Sequence, residues 1–573
     1  MRSQRKERGK RKKGALKSIV VVIFLLLVCL GIKVVTAIPN HTSAFKYVPA
    51  WEKKEEISIV VRDTAVSSQY TPIIKEDMIY FPVEFVKEYI DDTIFWEDNT
   101  QKLTITTASK VIRMTTDDLT YYVNNEPLQL DMPVYTMEGT AYIPQSILES
   151  LYNTVFSYND EDKIVLVDFS NESKATGKIS SNTKVYTLAD KKSDVVTKVK
   201  KGEEITLYTT EGDFTKIRTA KGIPGYVFTN KISDAQTIEP QTVQEEEKVV
   251  EPWKPKKGKI SMVWDQIFNA EQNQRDSKKV PIEGLDVISP TWFALADSEG
   301  TVSNIADKGY VEWAHKNGYQ VWALFSNSFD SQITHDVLSD ANKREKVYKQ
   351  ILALAALYDL DGINIDFESV KEKDGEYYVQ FIREITPYLK AQGLTVSVDL
   401  YVPSPWTKHY GMEAVGKVVD YVAIMVYDEH WGTSPKSGST ASIGWSEDAV
   451  QNALEMVDSD KLIMGIPFFT RIWEETQDSD GTLSVTSSAC GMQGGVNNLT
   501  ENNVTPVYDE ESGQNYGQYK KDDILYKVWL EDETSLKKRM EIMQKYDLAG
   551  ISGWKRGLEK ESAWKIINEY LKK

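Results

Sequence analysis

The chain has 573 residues, which at the usual domain size corresponds to roughly three to five domains. It carries 68 Lys and Arg against 85 Asp and Glu, and since the first 17 residues hold nine Lys or Arg and one Glu, the remainder sums to about −25. This acidity argues against nucleic acid as the partner of the bulk of the protein. The five His residues form no HExxH-type pair, so no histidine-built zinc site is expected, and Cys29 and Cys490 cannot make a disulfide framework.

The amino-terminal segment combines a basic flank with an apolar run from Ile19 to Gly31 that extends to Ala37. This order of charge and hydropathy predicts a signal peptide or membrane anchor over residues 1–37, with the remainder outside the cytoplasm, either secreted or membrane-anchored and associated with the cell wall. The run is slightly long for a signal peptide, and Lys33 interrupts it as a membrane span. Cleavage after Ala37 and retention as an anchor both remain open.

Residues 55–170 contain an internal repeat with an offset of 62 residues, which places Pro82 on Pro144 and Trp96 on Tyr158. Both copies read as strand, proline, short amphipathic helix, strand, acidic turn and strand. Neither copy holds ionisable groups with catalytic spacing, so we expect a spacer or adhesive stalk. The pattern resembles the paired domain named after the N-terminal domain of copper amine oxidases, although no set of copper ligands accompanies it.

Residues 176–233 alternate short β segments with Gly and Asp turns, which predicts a small β-barrel. The stretch resembles a bacterial Src-homology-3-like domain, a family whose members often contact cell-wall peptide. Residues 234–258 are acidic, contain proline and lack an apolar period, so they are predicted to be a linker.

Residues 259–573 contain eight apolar strand runs separated by helices. The apolar residues of these runs are too continuous for strands of a sheet with one solvent-exposed face. One helix pattern places Val347, Ile351, Leu354 and Tyr358 on a single face. The alternation predicts a (β/α)₈ TIM barrel, preceded by an α+β repeat domain and a small β-barrel in a multidomain chain. The runs are KISMVW, LDVISPTWFAL, YQVWALF, DGINIDF, LTVSVDLYV, DYVAIMVY, KLIMGIPFF and LAGISGW.

The fourth run carries acids at alternate positions near the carboxyl end of its strand, where TIM barrels place their chemistry. The period of two along a strand puts Asn364, Asp366 and Glu368 on the inner face, with Glu368 at the mouth. Two carboxyls in one confined pocket resist double ionisation, so Glu368 is the natural proton donor. The alternative is that Asp366 and Glu368 pair with Lys or Arg of the barrel.

Three segments of this region resemble glycoside hydrolase family 18, the chitinase-like barrels. Asp-Gly-x-x-x-Asp-x-Glu ending at Glu368 resembles the signature of its fourth strand. Met425-Val426-Tyr427-Asp428 resembles its Met-x-Tyr-Asp element, and ISGW with Trp554 resembles the strand whose Trp lies under the reacting sugar. The likeness covers nearly all of residues 259–573 and is strongest to bacterial cell-surface and spore-wall members that act on N-acetylglucosamine polymers.

The resemblance implies catalysis in which the N-acetyl carbonyl of the substrate is the nucleophile. Glu368 would protonate the leaving oxygen and then deprotonate water, and Asp366 would orient the acetamido group. Tyr427 would bind the acetamido oxygen, while Asp428 and Met425 would help to hold the sugar. Trp554 would supply an apolar platform. The resemblance implies neither a metal nor an organic cofactor.

Asn364 departs from the family pattern, in which the innermost motif position is acidic. An amide carries no charge and exchanges no proton with Asp366. We therefore expect Asp366 to lack a like-charged neighbour and to favour its ionised form. A neutral hydrogen-bond partner at Asn364 is the preferred interpretation over an inactive protein.

Several features leave two interpretations open. Trp264, Trp292, Trp322 and Trp431 lie near strand ends, where each could line a sugar cleft or pack in the core. Residues 474–530, between the seventh and eighth strands, could form a wall of the substrate groove or an ordinary surface loop. Cys490 is expected to be a small buried apolar residue rather than a reactive thiol.

The sequence therefore predicts a glycosidase that cleaves β-1,4 bonds at N-acetylglucosamine, with chitin-like polysaccharide or cell-wall peptidoglycan as partner. The alternative is a glycan-binding surface protein without catalysis on the same barrel; retained Glu368 argues against it, and Asn364 weakly for it. Spore cortex and glycoprotein glycans also remain open as substrates, as do endo and exo cleavage.

Overall fold

The computed structural model describes residues 57–66, 69–241, 250–255, 258–477 and 482–571, together with Ile23 and Val28. The predicted signal or anchor segment, residues 1–37, lies outside this described part except for those two positions. None of the helices described is both long and apolar enough to cross a membrane.

The chain divides into two compact units. The first comprises Met1–Ile94, Thr115–Thr120 and Gln129–Glu246, and the second comprises Phe95–Met114, Tyr121–Leu128 and Glu247–Lys573.

The described chain up to residue 241 is mostly β-structure. Between residues 57 and 241 its helices are α1 (Val83–Tyr89) and α2 (Gln145–Leu151), with a 3-10 turn at Thr229–Lys231. The strands are β1 Ser58–Val61, β2 Thr64–Ala65, β3 Ile73–Lys75, β4 Met78–Pro82, β5 Phe95–Glu97, β6 Lys102–Thr106, β7 Val111–Thr115, β8 Thr120–Val123, β9 Glu126–Gln129, β10 Tyr135–Met137, β11 Thr140–Pro144, β12 Thr154–Asn159, β13 Ile164–Phe169, β14 Lys174–Ile179, β15 Thr183–Tyr186, β16 Val195–Val199, β17 Glu204–Glu211, β18 Phe214–Thr219, β19 Pro224–Phe228 and β20 Ile232–Ile238.

The internal repeat is present in the structure. Strands β4 and β11 pair antiparallel with Phe81 opposite Ile143, so the two copies meet at equivalent positions. Pro82 and Pro144 directly precede α1 and α2, where the missing N–H of proline removes no helical hydrogen bond.

The two copies differ in the strands that come after the helix. In the second copy, β12 and β13 join a sheet of order β12-β13-β1-β2 in the first unit. In the first copy, β5 and β6 continue into a five-stranded sheet of order β5-β6-β7-β8-β9, most of which lies in the second unit. Part of the repeat region is thus integral to the unit that contains residues 258–571.

A seven-stranded antiparallel sheet, β14–β20, occupies the region predicted to be a small β-barrel. Its core consists of aliphatic residues such as Val185 and Ile217. Within the first unit, the guanidinium of Arg218 binds both carboxylate oxygens of Asp168 on β13, at 2.7 and 2.6 Å. This ion pair connects the sheet to the repeat.

From residue 258 onward, strands and helices alternate. The 3-10 turns are Glu372–Asp374 and Lys408–Tyr410. The longer elements are β21 Ile260–Asp265, α3 Ala270–Asp276, β22 Val287–Leu295, β23 Val302–Asn304, α4 Lys308–Lys316, β24 Gln320–Ser326, α5 Ser331–Leu338, α6 Ala341–Tyr358, β25 Gly362–Asp366, α7 Gly375–Ala391, β26 Thr395–Tyr401, α8 Met412–Val418, β27 Tyr421–Met425, α9 Ile443–Leu454, β28 Leu462–Pro467, β29 Phe469–Gln477, β30 Leu483–Gly491, α10 Met492–Glu501, β31 Val507–Asp509, β32 Gln514–Lys521, β33 Ile524–Leu530, α11 Glu533–Lys545, β34 Gly550–Trp554 and α12 Glu561–Leu571.

Eight parallel strands form a closed barrel: β21, β22, β24 to β28, and β34, which pairs with both β28 and β21. The predicted TIM barrel is confirmed, and each predicted run covers one of these strands completely or up to its last residue. Trp322 lies in the inner core and Trp292 in the core between strands and helices, so both serve packing.

Trp253 covers part of the amino-terminal end of the barrel. Its carbonyl oxygen accepts a 2.6 Å hydrogen bond from the hydroxyl of Tyr421, the first residue of β27. Its ring lies edge-on to Trp322 at 6.1 Å between ring centroids. Residues 250–255, within the segment predicted to be a linker, therefore contribute to the barrel core.

Helix α6 spans the predicted helical segment. Asp340 caps it by accepting hydrogen bonds from the backbone of Asn342 and Lys343. Val347 and Ile351 are buried as the pattern predicts, and Arg344 is buried as well.

A buried ionic network connects the five-stranded sheet β5–β9 with helices α6 and α7 in the second unit. The guanidinium of Arg344 binds Glu97 at 2.8 and 2.7 Å and Glu384 at 3.1 and 2.9 Å. Arg113 on β7 also binds Glu384, at 2.9 Å. Burial acts to raise the pKa of Glu384, but the two guanidinium groups hold it below its ordinary value.

The insertion between β28 and β34 is an ordered subdomain. Its five antiparallel strands have the order β30-β29-β33-β32-β31, and α10 packs against them. The predicted insertion over residues 474–530 thus begins earlier, at Phe469, directly after β28.

Candidate active site

Strand β25 directs its polar side chains into the barrel. The intervening apolar residues pack against the surrounding helices. A Cβ on Gly362, where the strand begins, would lie 2.6 Å from the carbonyl oxygen of Thr395 and 2.7 Å from the ring of Trp322. Glycine is therefore needed for β25 to approach its neighbours, and this approach aligns Asn364 and Asp366 with the inner face.

A cavity of about 190 Å³ opens at the carboxyl end of the barrel strands. Of the site residues predicted from the sequence, only Asn364 does not line this cavity. The lining residues are Trp264, Asp366, Glu368, Asp399, Tyr401, Met425, Tyr427, Asp428 and Trp554.

Glu368 is held from two sides. The hydroxyl of Tyr401 donates a 2.5 Å hydrogen bond to Oε2 of Glu368. The side chain of Asn327 accepts from the Glu368 backbone N–H at 3.0 Å and donates to its carbonyl oxygen at 2.6 Å. Burial raises the pKa of Glu368, as does the nearby charge of Asp428, whereas the Tyr401 hydrogen bond acts in the opposite direction. The carboxyl therefore keeps its proton to a higher pH than an exposed glutamate does.

Asp366 is buried, and its Oδ1 has no hydrogen-bond partner in the described structure. Burial raises the pKa of Asp366 well above its ordinary value, and the charges of Asp399 and Glu368 act in the same direction. The expectation that Asp366 lacks a like-charged neighbour was wrong, because Asp399 on the adjacent strand β26 fills that role. The expected preference for the ionised form was also wrong, because burial, followed by the charges of Asp399 and Glu368, raises the pKa of Asp366.

Asn364 makes four hydrogen bonds beneath the cavity. Its Oδ1 accepts from Trp264 Nε1 at 2.9 Å and from Ser289 Oγ at 3.2 Å. Its Nδ2 donates to Ser397 Oγ at 3.0 Å and to Asp399 Oδ1 at 2.8 Å. The amide is thus fully satisfied, as a buried Asn must be to avoid a desolvation penalty.

Asp399 and Tyr401 were not predicted from the sequence. A signal for both exists in LTVSVDLYV, where Ser397, Asp399 and Tyr401 alternate with aliphatic residues and so share the inner face of β26. Trp264, for which two roles were open, combines them: its ring is buried in the inner core, and its Nε1 donates to Asn364 and Asp399.

Tyr427 and Asp428 follow the end of β27. Burial raises the pKa of the Tyr427 hydroxyl, as do the surrounding carboxylates. Burial also raises the pKa of Asp428, although the guanidinium of Arg471, at 3.3 Å, acts against it. Arg471 lies on β29, so the inserted subdomain contributes a charged group beside the cavity.

Trp554 ends strand β34 and forms part of the cavity wall. Its ring centroid lies 5.9 Å from that of Trp264, with the two planes inclined by 60°. Trp431 is half exposed on the loop that follows β27.

Among the residues that the structure describes, no three His, Cys, Asp or Glu side chains are arranged to hold a metal ion. Basic side chains are also missing from the centre of the site, since no ion pair to Asp366, Glu368 or Asp399 forms within the described chain. The alternative in which Asp366 and Glu368 pair with Lys or Arg therefore does not hold. The site is a cluster of two buried carboxyls, Asp366 and Asp399, and the partly buried carboxyl of Glu368 among aromatic rings.

Residues 259–559 match the family model of glycosyl hydrolases family 18, which is more than half of the chain. The chain belongs to this family. It is a glycoside hydrolase, as the sequence predicts. Residues 60–167 match the copper amine oxidase N-terminal domain, which confirms the second resemblance.

Two curated relatives come from Bacillus subtilis. The uncharacterized glycosylase YvbX is 27% identical over 300 residues, which cover 50% of this chain and 84% of YvbX. The cortical fragment-lytic enzyme is 26% identical over 254 residues, which cover 43% of this chain and only 58% of that enzyme.

Among solved structures, the spore cortex-lytic enzyme SleL of Bacillus cereus aligns with a TM-score of 0.50 at 23% identity. The alignment covers 58% of this chain and 79% of SleL. This likeness shows that the two proteins share the fold.

Proposed function

We propose that this enzyme hydrolyses β-1,4 bonds at N-acetylglucosamine in cell-wall peptidoglycan or chitin-like glycan by substrate-assisted, retaining catalysis. The single observation that carries the proposal is the cavity lined by Glu368, Asp366 and Tyr427, in which the pKa values of both carboxyls are raised. A confined cavity with a protonated carboxyl at its mouth suits the protonation of a glycosidic oxygen.

Glu368 acts first as the general acid and then as the general base of the proposed reaction. Its protonated carboxyl gives a proton to the leaving oxygen as the glycosidic bond breaks, and the resulting carboxylate takes a proton from the incoming water. The hydrogen bond from Tyr401 supports the second half of this cycle, because a donated hydrogen bond stabilises the carboxylate.

Asp366 and Tyr427 act on the acetamido group. The acetamido oxygen attacks the sugar carbon, so positive charge develops on the ring that forms. Asp366 orients the acetamido N–H and stabilises this charge, while the Tyr427 hydroxyl donates to the acetamido oxygen. A low-dielectric cavity strengthens both interactions.

The remaining lining residues bind the sugar. Trp554 offers an aromatic surface to the C–H face of the ring, and Asp428 with Met425 completes the pocket. Arg471 holds Asp428 in place from the inserted subdomain, which supports a role of that subdomain in the substrate groove.

Cell-wall glycan is favoured as the substrate class. The basic and apolar amino terminus supports export, and a relative is named a cortical fragment-lytic enzyme. We assign a spacer or adhesive role to the repeat domain and contact with wall peptide to the β14–β20 sheet, which we interpret as Src-homology-3-like.

The test is release of fluorophore from a chitobiose conjugate by wild type, by Glu368→Gln and by Glu299→Gln, a matched change at an exposed ion pair that does not line the cavity. We expect turnover by wild type and by Glu299→Gln, and at least about a hundredfold less by Glu368→Gln. Mass spectrometry of products from purified wall glycan and from chitin then identifies the substrate. Binding of chito-oligosaccharide by wild type without any turnover would instead establish a glycan-binding protein.

A further inference from the structure

Asp399 lies at the centre of the site, and the proposed reaction leaves it without a role. Its side chain is buried on β26, and its two oxygens accept hydrogen bonds from Asn364 Nδ2 at 2.8 Å and from Trp264 Nε1 at 3.0 Å. Both donors are neutral, and both are buried in the inner layer of the barrel. Asp366 and Asp399 follow the paired residues Ile365 and Val398 on neighbouring parallel strands, so Asp399 is held beside Asp366, and no ion pair to it forms in the described chain.

Electrostatics requires a proton between these two carboxyls. Burial raises the pKa of Asp399 as well, and the charge of Glu368 adds to this rise, whereas the hydrogen bonds from Asn364 and Trp264 oppose it. Two adjacent buried carboxylates without a cation repel each other strongly, so double ionisation is disfavoured at neutral pH.

The hydrogen-bond pattern indicates where the proton resides in the free enzyme. Both oxygens of Asp399 accept N–H groups, which stabilise a carboxylate, whereas Oδ1 of Asp366 has no partner. The negative charge is therefore favoured on Asp399 and the proton on Asp366.

We propose that Asp399 is a positioning residue of the reaction, which forms with Asp366 a carboxyl pair that holds a single proton, while Asn364 is the amide that fixes Asp399 in place. The inference rests on the proposed function, because it assigns a use to the charge of the pair during hydrolysis.

The proposed role is a transfer of charge within the pair. As positive charge develops on the acetamido group, the O–H bond of Asp366 breaks and an O–H bond of Asp399 forms. Asp366 thereby becomes the carboxylate that the cation requires. The pair keeps one proton and one negative charge throughout, so no proton has to leave the site.

Few other groups around the pair titrate near neutral pH. Burial raises the pKa of the surrounding tyrosine hydroxyls, so these stay neutral. The groups that face the pair from the neighbouring elements are Glu368, Asp428, Tyr378, Tyr401, Tyr410 and Tyr427, with the cation Arg471 beyond Asp428.

The test compares pH–rate profiles of wild type, Asp399→Asn and the exchanged double variant Asn364→Asp/Asp399→Asn. Removal of one negative charge lowers the pKa of the carboxyls that remain, so both limbs of the Asp399→Asn profile should move to lower pH by about one unit. In the exchanged variant the carboxyl stands at position 364 and the amide at position 399. The number of carboxyls is therefore unchanged, and the wild-type profile should be restored. Ser397→Ala, which removes a hydrogen bond to Asn364 without a change of charge, should leave the profile in place.

A second readout needs no turnover. The folded protein holds a proton on the Asp366–Asp399 pair that the unfolded chain releases, so the pair makes stability fall as pH rises above the ordinary aspartate range. The melting temperature of Asp399→Asn should therefore fall less than that of wild type between about pH 5 and pH 8.

The outcomes separate the two proposals. An active wild type with inactive Glu368→Gln, but with unchanged profile and unchanged melting behaviour in Asp399→Asn, would overturn the carboxyl pair and leave the proposed function intact. If wild type shows the expected melting behaviour but no turnover, the proposed function is overturned and the carboxyl pair is kept. If Asp399→Asn does not fold, the exchanged variant decides alone, because a profile displaced from that of wild type would contradict the pair.

Discussion

The hydroxyl of Tyr401 lies 2.5 Å from Oε2 of Glu368 and donates a hydrogen bond to it. Tyr401 is two residues beyond Asp399 on the same strand, β26. Residues of one strand thus act on both carboxyls of the proposed reaction. The charge of Asp399 acts to raise the pKa of Asp366, and the hydrogen bond from Tyr401 acts to lower the pKa of Glu368. Burial raises the pKa of both carboxyls; Asp399 adds to this rise at Asp366, whereas Tyr401 limits it at Glu368.

Replacement of Tyr401 by Phe should raise the pKa of Glu368 further, because the hydrogen bond that favours its carboxylate is lost. Glu368 must be protonated to act as the acid, so the alkaline limb of kcat should move to higher pH. We also expect kcat at neutral pH to fall about tenfold, the cost of one lost hydrogen bond to a charged group. An alkaline limb that moves to lower pH would contradict the assignment of Glu368 as the acid.

Trp406 is 87% exposed on the loop that leaves the carboxyl end of β26. An aromatic ring at this end of the barrel should stack on sugar units of a long chain beyond the cavity. We predict that Trp406→Ala lowers turnover of polymeric wall glycan about tenfold but leaves that of a chitobiose conjugate within about twofold. Leu357→Ala, which removes a 53% exposed side chain from helix α6, is the matched control, and an equal loss on both substrates would refute the prediction.

Glu97 and Arg344 form a buried pair, and loss of the charge of Glu97 should destabilise the second unit. Glu97→Gln leaves the guanidinium of Arg344 with a single acidic partner, Glu384. We expect a loss of about 2–3 kcal/mol in the free energy of unfolding, measured with denaturant on the transition of this unit. The same substitution at exposed Glu299, paired with Lys343 at 3.3 Å, should cost at most about 1 kcal/mol. Equal effects at the two positions would show that the buried pair is dispensable.

Cys490 on β30 should react slowly with thiol reagents. Burial raises the pKa of its thiol, so little reactive thiolate is present near neutral pH. In a Cys29→Ser background, alkylation by iodoacetamide should be at least about tenfold slower for the folded protein than for the protein in guanidinium. A rate equal to that of the unfolded protein would show that the thiol is accessible.

Much of the barrel and of the site could be predicted because it depends on local patterns. The period of two in β25 is sufficient to place Asp366 and Glu368 on the inner face, and the apolar period of α6 is sufficient to define its buried side. The short motifs around Trp554 and Met425 were sufficient to predict that both residues lie at the site, and both line the cavity.

The environment of Asp366 could not be predicted in the same way, because it depends on register between strands. Asn364 pairs with Ser397 in the parallel ladder of β25 and β26, and this register brings Asp399 beside the acid of the neighbouring strand. A single strand pattern contains no information about its neighbour. The contact of Arg471 with Asp428 depends likewise on the path of an insertion.

The network around Arg344 was beyond prediction for a different reason. Residues 55–170 read as a self-contained repeat, and the repeat gives no indication that β5 to β9 take part in the core of the barrel unit. Val111 lies in the same apolar core as the barrel helices, and the ring of Phe95 packs edge-on against Tyr377 at 5.9 Å. Only the three-dimensional arrangement shows that β5 to β9 belong mostly to the unit that contains the barrel.

The order of these partners along the chain has a consequence for biosynthesis. Glu97 leaves the ribosome 247 residues before Arg344, and Arg113 leaves it 271 residues before Glu384. At about 5–20 residues per second, the first acid waits roughly 12–50 s for its guanidinium partner. Strands β5 to β9 therefore remain without their ionic partners until helices α6 and α7 have been synthesised.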